Sequence, residues 1–241
     1  MADSLRMSDT LQTINPATGE ELMRYPMMSD SDVTSTIEKS HAAFLKWRHE
    51  TPEKRAQVIK GLGKALRDNK EELAKLMTQE MGKMIAQGRQ EVDLCAGICD
   101  WTAENGPDAF KAEERELSGG GKGLVTYAPL GVIYGIQPWN FPTYQVIRYA
   151  IANLMAGNSV LLKHAENVTG SGLMIEKILN EGGLPENLFS VLKISHDQSD
   201  DVIAHKLVRG VITMVRPTWQ PNASLLSTPS LTSSATPSSL P

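Results

Sequence analysis

Only two of the 241 residues are cysteine, Cys95 and Cys99, four apart within a helical pattern of Val92, Leu94 and Ile98. That spacing sets both on one helix face, one turn apart. Free cysteine is commonly a small buried apolar residue, and burial is the expectation here. A redox pair or half of a metal site is the sharper alternative, but no second cluster of cysteine or histidine completes one. The five histidines are scattered and form no His-Glu-x-x-His pattern. No apolar run approaches the ~20 residues that span a bilayer. Met1 to Thr10 is polar and lacks the apolar core of a secretory signal, so the cytoplasm is the expected location. With 24 basic and 28 acidic residues, net −4, there is no surplus for the basic face that nucleic acid requires. Neither a nucleic-acid nor a membrane partner is expected.

Charge is missing altogether from Pro217 to Pro241, where 14 of the 21 residues from Pro221 onward are Ser, Thr or Pro. Such a segment cannot bury enough apolar surface to offset its ordering entropy, so disorder is expected over 212–241. The remainder is ordinary for a globular chain, 41% hydrophobic and 22% charged. Its length suits one to two domains.

The chain divides into regions of different period. Asn15-Pro16-Ala17-Thr18-Gly19-Glu20 is a turn between short extended stretches. Residues 30 to 116 read as helices. The first carries Val33, Ile37, Phe44 and Trp47. The second starts at Thr51-Pro52-Glu53, where Thr suits the cap, Pro the first helical position and Glu the positive dipole end. The third carries Leu73, Leu76 and Met77, and the fourth runs from about Lys83 to Asn105, where Asn-Gly-Pro should end it. From residue 117 short β-rich runs alternate with helices: strands at Leu124–Tyr127, Gly131–Ile136, Ser159–Lys163 and Leu188–Leu192, and helices after Pro142 and from Thr169. Strand and helix in alternation predict a parallel α/β sheet.

Ligands of such a sheet bind beyond the carboxyl ends of its strands. Two stretches lie there. Gln137-Pro138-Trp139-Asn140-Phe141-Pro142 leaves one strand with two prolines that stiffen the backbone around Asn140. An amide fixed at a strand end is what an oxyanion hole needs. On these residues alone, Asn140 could equally cap a turn and Trp139 belong to the core. Lys163-His164-Ala165-Glu166 follows another strand. There an acid can hold ribose hydroxyls, although a surface ion pair would look the same. Ser118-Gly119-Gly120-Gly121-Lys122-Gly123 is not a phosphate loop, since Gly rather than Ser or Thr follows the lysine, and Gly170-Ser171-Gly172 is only a fragment of a dinucleotide fingerprint.

Pro138 to Pro142, with Pro129-Leu130-Gly131-Val132 upstream and Leu162 to Glu166 downstream, closely resembles the signature of NAD(P)-dependent aldehyde dehydrogenases. Asn15 to Glu20, Thr78-Gln79-Glu80-Met81-Gly82-Lys83 and Gly183-Leu184-Pro185 fit in order, so the resemblance covers about residues 11 to 211. Lys163-His164-Ala165 and Cys99 to Asn105 look most like the bacterial succinate-semialdehyde dehydrogenases of that family.

The resemblance implies an α/β fold in which N-terminal helices join a partial Rossmann-like parallel sheet, with a β-ribbon at 117–130 used for oligomerisation. It implies a cofactor-binding domain over 11–211. Asn140 would donate to the oxyanion, Ile136, Pro138 and Trp139 would line the cofactor cleft, and Lys163 and Glu166 would hold the adenosine ribose. A carboxylate where a 2′-phosphate would sit favours NAD over NADP. The implied reaction oxidises an aldehyde, succinate semialdehyde being the favoured one, to the acid.

That reaction needs a thiolate nucleophile and a glutamate base. The family carries them in Gly-Gln-x-Cys and Glu-Leu-Gly-Gly contexts, and this sequence contains neither. Cys95 and Cys99 lie in the wrong helix to substitute. After Arg209-Gly210-Val211 the family's Thr-Gly-Ser turn is replaced by Met214-Val215-Arg216-Pro217. The chain therefore reads as the N-terminal half of a family member, inactive alone. A frameshifted or misassembled gene accounts for the change better than a genuine short protein. A non-catalytic nucleotide-binding or subunit-interaction module is the alternative. The half-sheet should also leave an unpaired edge.

Overall fold

The computed structural model describes residues 10–213. The tail expected to be disordered lies outside the described residues, apart from 212 and 213. The chain opens on an antiparallel pair, β1 (Thr10–Ile14) and β2 (Glu21–Pro26), joined by the expected turn. Four helices follow: α1 (Asp30–Trp47), α2 (Pro52–Asp68), α3 (Lys70–Met81) and α4 (Ile85–Ala109). Ser29 caps α1 by accepting from the Asp32 N–H at 3.2 Å, and Thr51 caps α2 by accepting from Lys54 at 3.2 Å. Gly82 closes α3 with φ +75°, a left-handed conformation that a glycine adopts without strain.

A hairpin of β3 (Glu113–Glu116) and β4 (Lys122–Val125) leads to β5 (Val132–Gln137), α5 (Tyr144–Met155), β6 (Ser159–His164), a 3-10 turn at Glu166–Val168, α6 (Thr169–Glu181), β7 (Phe189–Val191), α7 (His196–Ala204) and β8 (Val208–Thr213). The last four strands form one parallel sheet in the order β7-β6-β5-β8. Among the described residues β8 is an edge.

Side chains alternate across this sheet. Val160 and Leu162 join the larger core with α2 to α6, built on Ile59, Leu62, Leu66, Met77, Ile147, Ile151 and Leu154. Val132, Tyr134 and Leu161 face the other side, where Val33 and Ile37 of α1 and Val202 of α7 cover them. Each such fully buried chain contributes about 1.5–3 kcal/mol. Gly135 lets the Tyr149 ring lie directly on the sheet. A Cβ there would stand 2.2 Å from Tyr149 Cζ, and the Tyr149 hydroxyl donates to the Leu161 carbonyl at 3.2 Å.

Two expectations are corrected, and one element is new. The fourth helix does not end at Asn105 but runs through Pro107 to Ala109. A proline this near a helix end removes one donor in the last turn, and Gly106 seats that turn against Met155. The ribbon begins at Glu113, not 117, and its strands end at Val125. Its first strand, Glu-Glu-Arg-Glu, has no apolar alternation to betray it. Helix α7 was not foreseen: its core contact rests chiefly on Val202, and its sign was the capping box of Ser195 and Gln198.

Candidate functional site

Strands β5 and β6 run parallel in a register that pairs Ile136 with Lys163 and Gln137 with His164. The two stretches singled out in the sequence therefore leave the sheet side by side, at its carboxyl end. Ile136 and Pro138 are partly buried there, while Trp139 is half-exposed, at 51%, and Asn140 is exposed. Trp139 is thus no core residue. Glu166 opens the 3-10 turn after β6 with its carboxylate reaching solvent, and His196 Nε2 approaches it to 4.0 Å from the start of α7.

Lys163 is 4% exposed. Burial holds its ammonium below the ordinary lysine value, and the charge of Glu166 opposes that shift. An ammonium and a carboxylate thus sit together at one strand end, a pairing able to donate to and accept from a vicinal diol. Both side chains belong to one short segment, so their relation is fixed by the backbone rather than by a long loop.

The helices that follow these strands begin in an unexpected way. A helix N-terminus can offer its N–H groups to a ligand phosphate. Here both are already taken by buried glutamates. Glu80 accepts from Gly170 N–H at 2.8 Å and from Ser171 N–H and hydroxyl at 2.8 and 2.7 Å, closing α6. Glu91 Oε1 accepts from Thr143 and Tyr144 N–H, both at 2.9 Å, closing α5. The Gly170-Ser171-Gly172 segment, in the sequence only a fragment of a dinucleotide fingerprint, holds a carboxylate of its own chain.

Asn140 also lines a cleft of about 600 Å³ with Phe141, Tyr144, Met81, Lys83, Gln87 and Leu94. Its walls are mostly apolar, and Asn140 is among the polar residues that line it. Arg148, on α5, sets its guanidinium 5.5 Å over the Tyr144 ring beside this cleft. Neither cysteine lines the cleft, although Cys95 lies one helical turn from Glu91 and close enough to feel its charge and that of Lys83. Both are fully buried in the helical core, where burial pushes the Cys99 thiol up to about 12 and Cys95 higher still. They are the inert apolar residues expected. Among the described residues no cluster of His, Cys, Asp or Glu could hold a metal, and no helix is long and apolar enough to cross a membrane.

Sequence reasoning missed Glu91 and the roles of Glu80, Lys83 and His164. Glu80 and Lys83 stand in the quoted Thr78–Lys83 motif and His164 in the Leu162–Glu166 motif. The partners of Glu80 and Glu91 are 52 to 91 residues away and the carbonyls on His164 are 22 and 27 away, beyond any local pattern, while Lys83 pairs with Glu91 eight residues on.

Comparison with known proteins fits this geometry. The model for the aldehyde dehydrogenase family matches residues 5–214. The NAD(P)+ succinate semialdehyde dehydrogenase of Escherichia coli K12 is 40% identical over 199 residues, 83% of this chain and 43% of that protein. The NADP(+) succinate-semialdehyde dehydrogenase of Deinococcus radiodurans is 35% identical over 208 residues, 86% of this chain and 43% of the relative. Among solved structures, the succinic semialdehyde dehydrogenase of Streptococcus pyogenes in complex with NADP+ superposes with a TM-score of 0.81 at 34% identity, over 84% of this chain and 45% of that one. The chain spans less than half the length of the relatives it matches.

Proposed function

The chain belongs to the aldehyde dehydrogenase family, and from that premise we propose that residues 11–211 are the cofactor-binding and oxyanion-donating part of an aldehyde-oxidising site. The observation that carries the reading is the register of β5 and β6, which sets the Asn140 turn beside Lys163 and Glu166. Lys163 and Glu166 hold the adenosine ribose, with Ile136, Pro138 and Trp139 along the cofactor's path. When bound, the cofactor supplies the hydride acceptor. Asn140 directs its amide to the aldehyde oxygen, whose developing charge it stabilises. The sequence contains neither family context for a nucleophilic cysteine or a base, and its own two thiols are buried, so it performs no oxidation alone.

The substrate class is carried by the relatives, two of which are succinate-semialdehyde dehydrogenases. A short aldehyde with a distant carboxylate, such as succinate semialdehyde, needs apolar walls and a cation at the far end. Lys83 is committed to Glu91. The apolar walls are supplied by Met81, Leu94 and Phe141.

The Glu166 carboxylate favours NAD over NADP, because a 2′-phosphate would bring like charges together. Several relatives are named for NADP, so this preference is the point to test. Calorimetric titration should give tighter binding of NAD than of NADP, and Glu166→Gln should narrow the ratio. Tighter NADP binding in the unchanged chain would refute the preference.

A second reading, a subunit-interaction module, has an observation of its own. Leu117, Leu124 and Tyr127, on and just beyond the β3–β4 hairpin, are more than half exposed. Sedimentation velocity should show self-association that Leu124→Glu abolishes. A monomer at all concentrations would remove this reading.

A further inference from the structure

We propose that His164 and the Lys83–Glu91 pair are positioning residues for Asn140, holding its turn from two sides. The inference rests on reading Asn140 as an oxyanion donor. Asn140 sits between β5 and α5, outside both ladders, so regular structure does not fix it. The residues that follow are each gripped by a buried side chain from elsewhere. Lys83 Nζ lies 4.2 Å from the centre of the Phe141 ring. The Pro142 carbonyl is 2.9 Å from His164 Nε2. The Thr143 and Tyr144 N–H groups both donate to Glu91. Glu91 is in turn ion-paired with Lys83 through its other oxygen.

The histidine works as a neutral ring. Its Nδ1 is 3.0 Å from the Ala165 N–H, which also donates to the Gln137 carbonyl, and 3.2 Å from that carbonyl; with the proton on Nε2 the ring donates to the shorter contact, Pro142 at 2.9 Å. Burial and the nearby Lys163 disfavour the charged form, pushing it down to about 4 against the pull of the Pro142 and Gln137 carbonyls. His164 therefore ties the strand that presents Lys163 to the turn that presents Asn140.

Stability alone does not account for these choices. A buried ion pair can often be replaced by apolar side chains at no loss, and its best-attested use is to fix one register. Here the register fixed is that of Phe141 to Tyr144, directly after Asn140.

The test is nuclear magnetic resonance on the full chain. In the unchanged chain the backbone amides of Trp139, Asn140 and Phe141 should be as ordered as those of β5. His164→Leu should loosen those amides while leaving β6 and the interior of α5 ordered, and His164→Gln, which keeps a donor, should restore them. The double variant Lys83→Met/Glu91→Leu leaves no charge unpaired and should loosen the same residues. Succinate semialdehyde should shift the Asn140 side-chain resonance saturably, about tenfold more weakly in the loosened variants, the scale of one lost neutral hydrogen bond. Unchanged order in both variants would overturn the positioning role. Loosening without any response of Asn140 to the aldehyde, in the unchanged chain, would overturn the reading of Asn140 and leave the clamp on the turn standing.

Discussion

The carboxylate of Glu80 receives both the backbone N–H and the hydroxyl of Ser171, at 2.8 and 2.7 Å, across 91 residues of sequence. With the Gly170 N–H at 2.8 Å, this joins the end of α3 to the start of α6. Burial raises the Glu80 value and the three donors pull it back. Glu80→Ala leaves buried donors unsatisfied and should cost about 2–4 kcal/mol in urea unfolding, against about 1 for Ser171→Ala. Equal losses would contradict the arrangement.

Two buried groups should give opposing pH dependences. Burial pushes His164 down to about 4 from 6.5. The unfolded state then binds the extra proton between those values, so this contribution is present above 6.5 and lost as pH falls towards 4. Burial pushes Glu176 up to about 7 from 4.5, against the Val191 N–H and Lys193. Its contribution is present below 4.5 and lost as pH rises through 7. The two should largely cancel from pH 4.5 to 6.5. His164→Gln should make stability fall with rising pH there, and Glu176→Gln should make it rise. Thermal melts across this range decide it, and parallel profiles for both variants would refute the assignment.

Gly135→Ala should be among the most damaging single changes. The new methyl would fall within 2.6 Å of three Tyr149 ring and hydroxyl atoms, and both backbones are held in packed elements. A loss of about 3 kcal/mol is expected, and a second change, Tyr149→Leu, should recover part of it. Full stability of the single variant would contradict the packing.

Much of this was legible because it is local. Thr51-Pro52 announced α2, and alternation of strand and helix after residue 117 the parallel sheet. The candidate site was legible only where prolines and a strand end coincide, at Pro138 to Pro142, and even there the family resemblance decided between a cap and a donor. The hidden parts are those made by distant contact. Glu91 reads as one more polar residue on α4 until α5 is folded against it. The charged strand Glu113–Glu116 reads as helix because its partner, not its own pattern, makes it a strand.

The two cysteines should be silent. Each is fully buried and its thiolate strongly disfavoured, and reactivity follows the thiolate. A disulfide reagent should titrate neither in the folded chain and both in denaturant. Rapid modification of either in the native chain would remove the argument that the chain holds no nucleophile.

The central claim is that the strand ends of β5 and β6 form a dinucleotide site, and Trp139, half-exposed beside Asn140, reports on it. Tryptophan fluorescence should be followed while NAD is added to the unchanged chain, to Trp139→Phe, and to Lys163→Ala. Saturable quenching that disappears with Trp139→Phe, and needs about tenfold more NAD with Lys163→Ala, is the predicted result. Absence of saturable quenching in a folded chain, or quenching indifferent to Lys163, would contradict it.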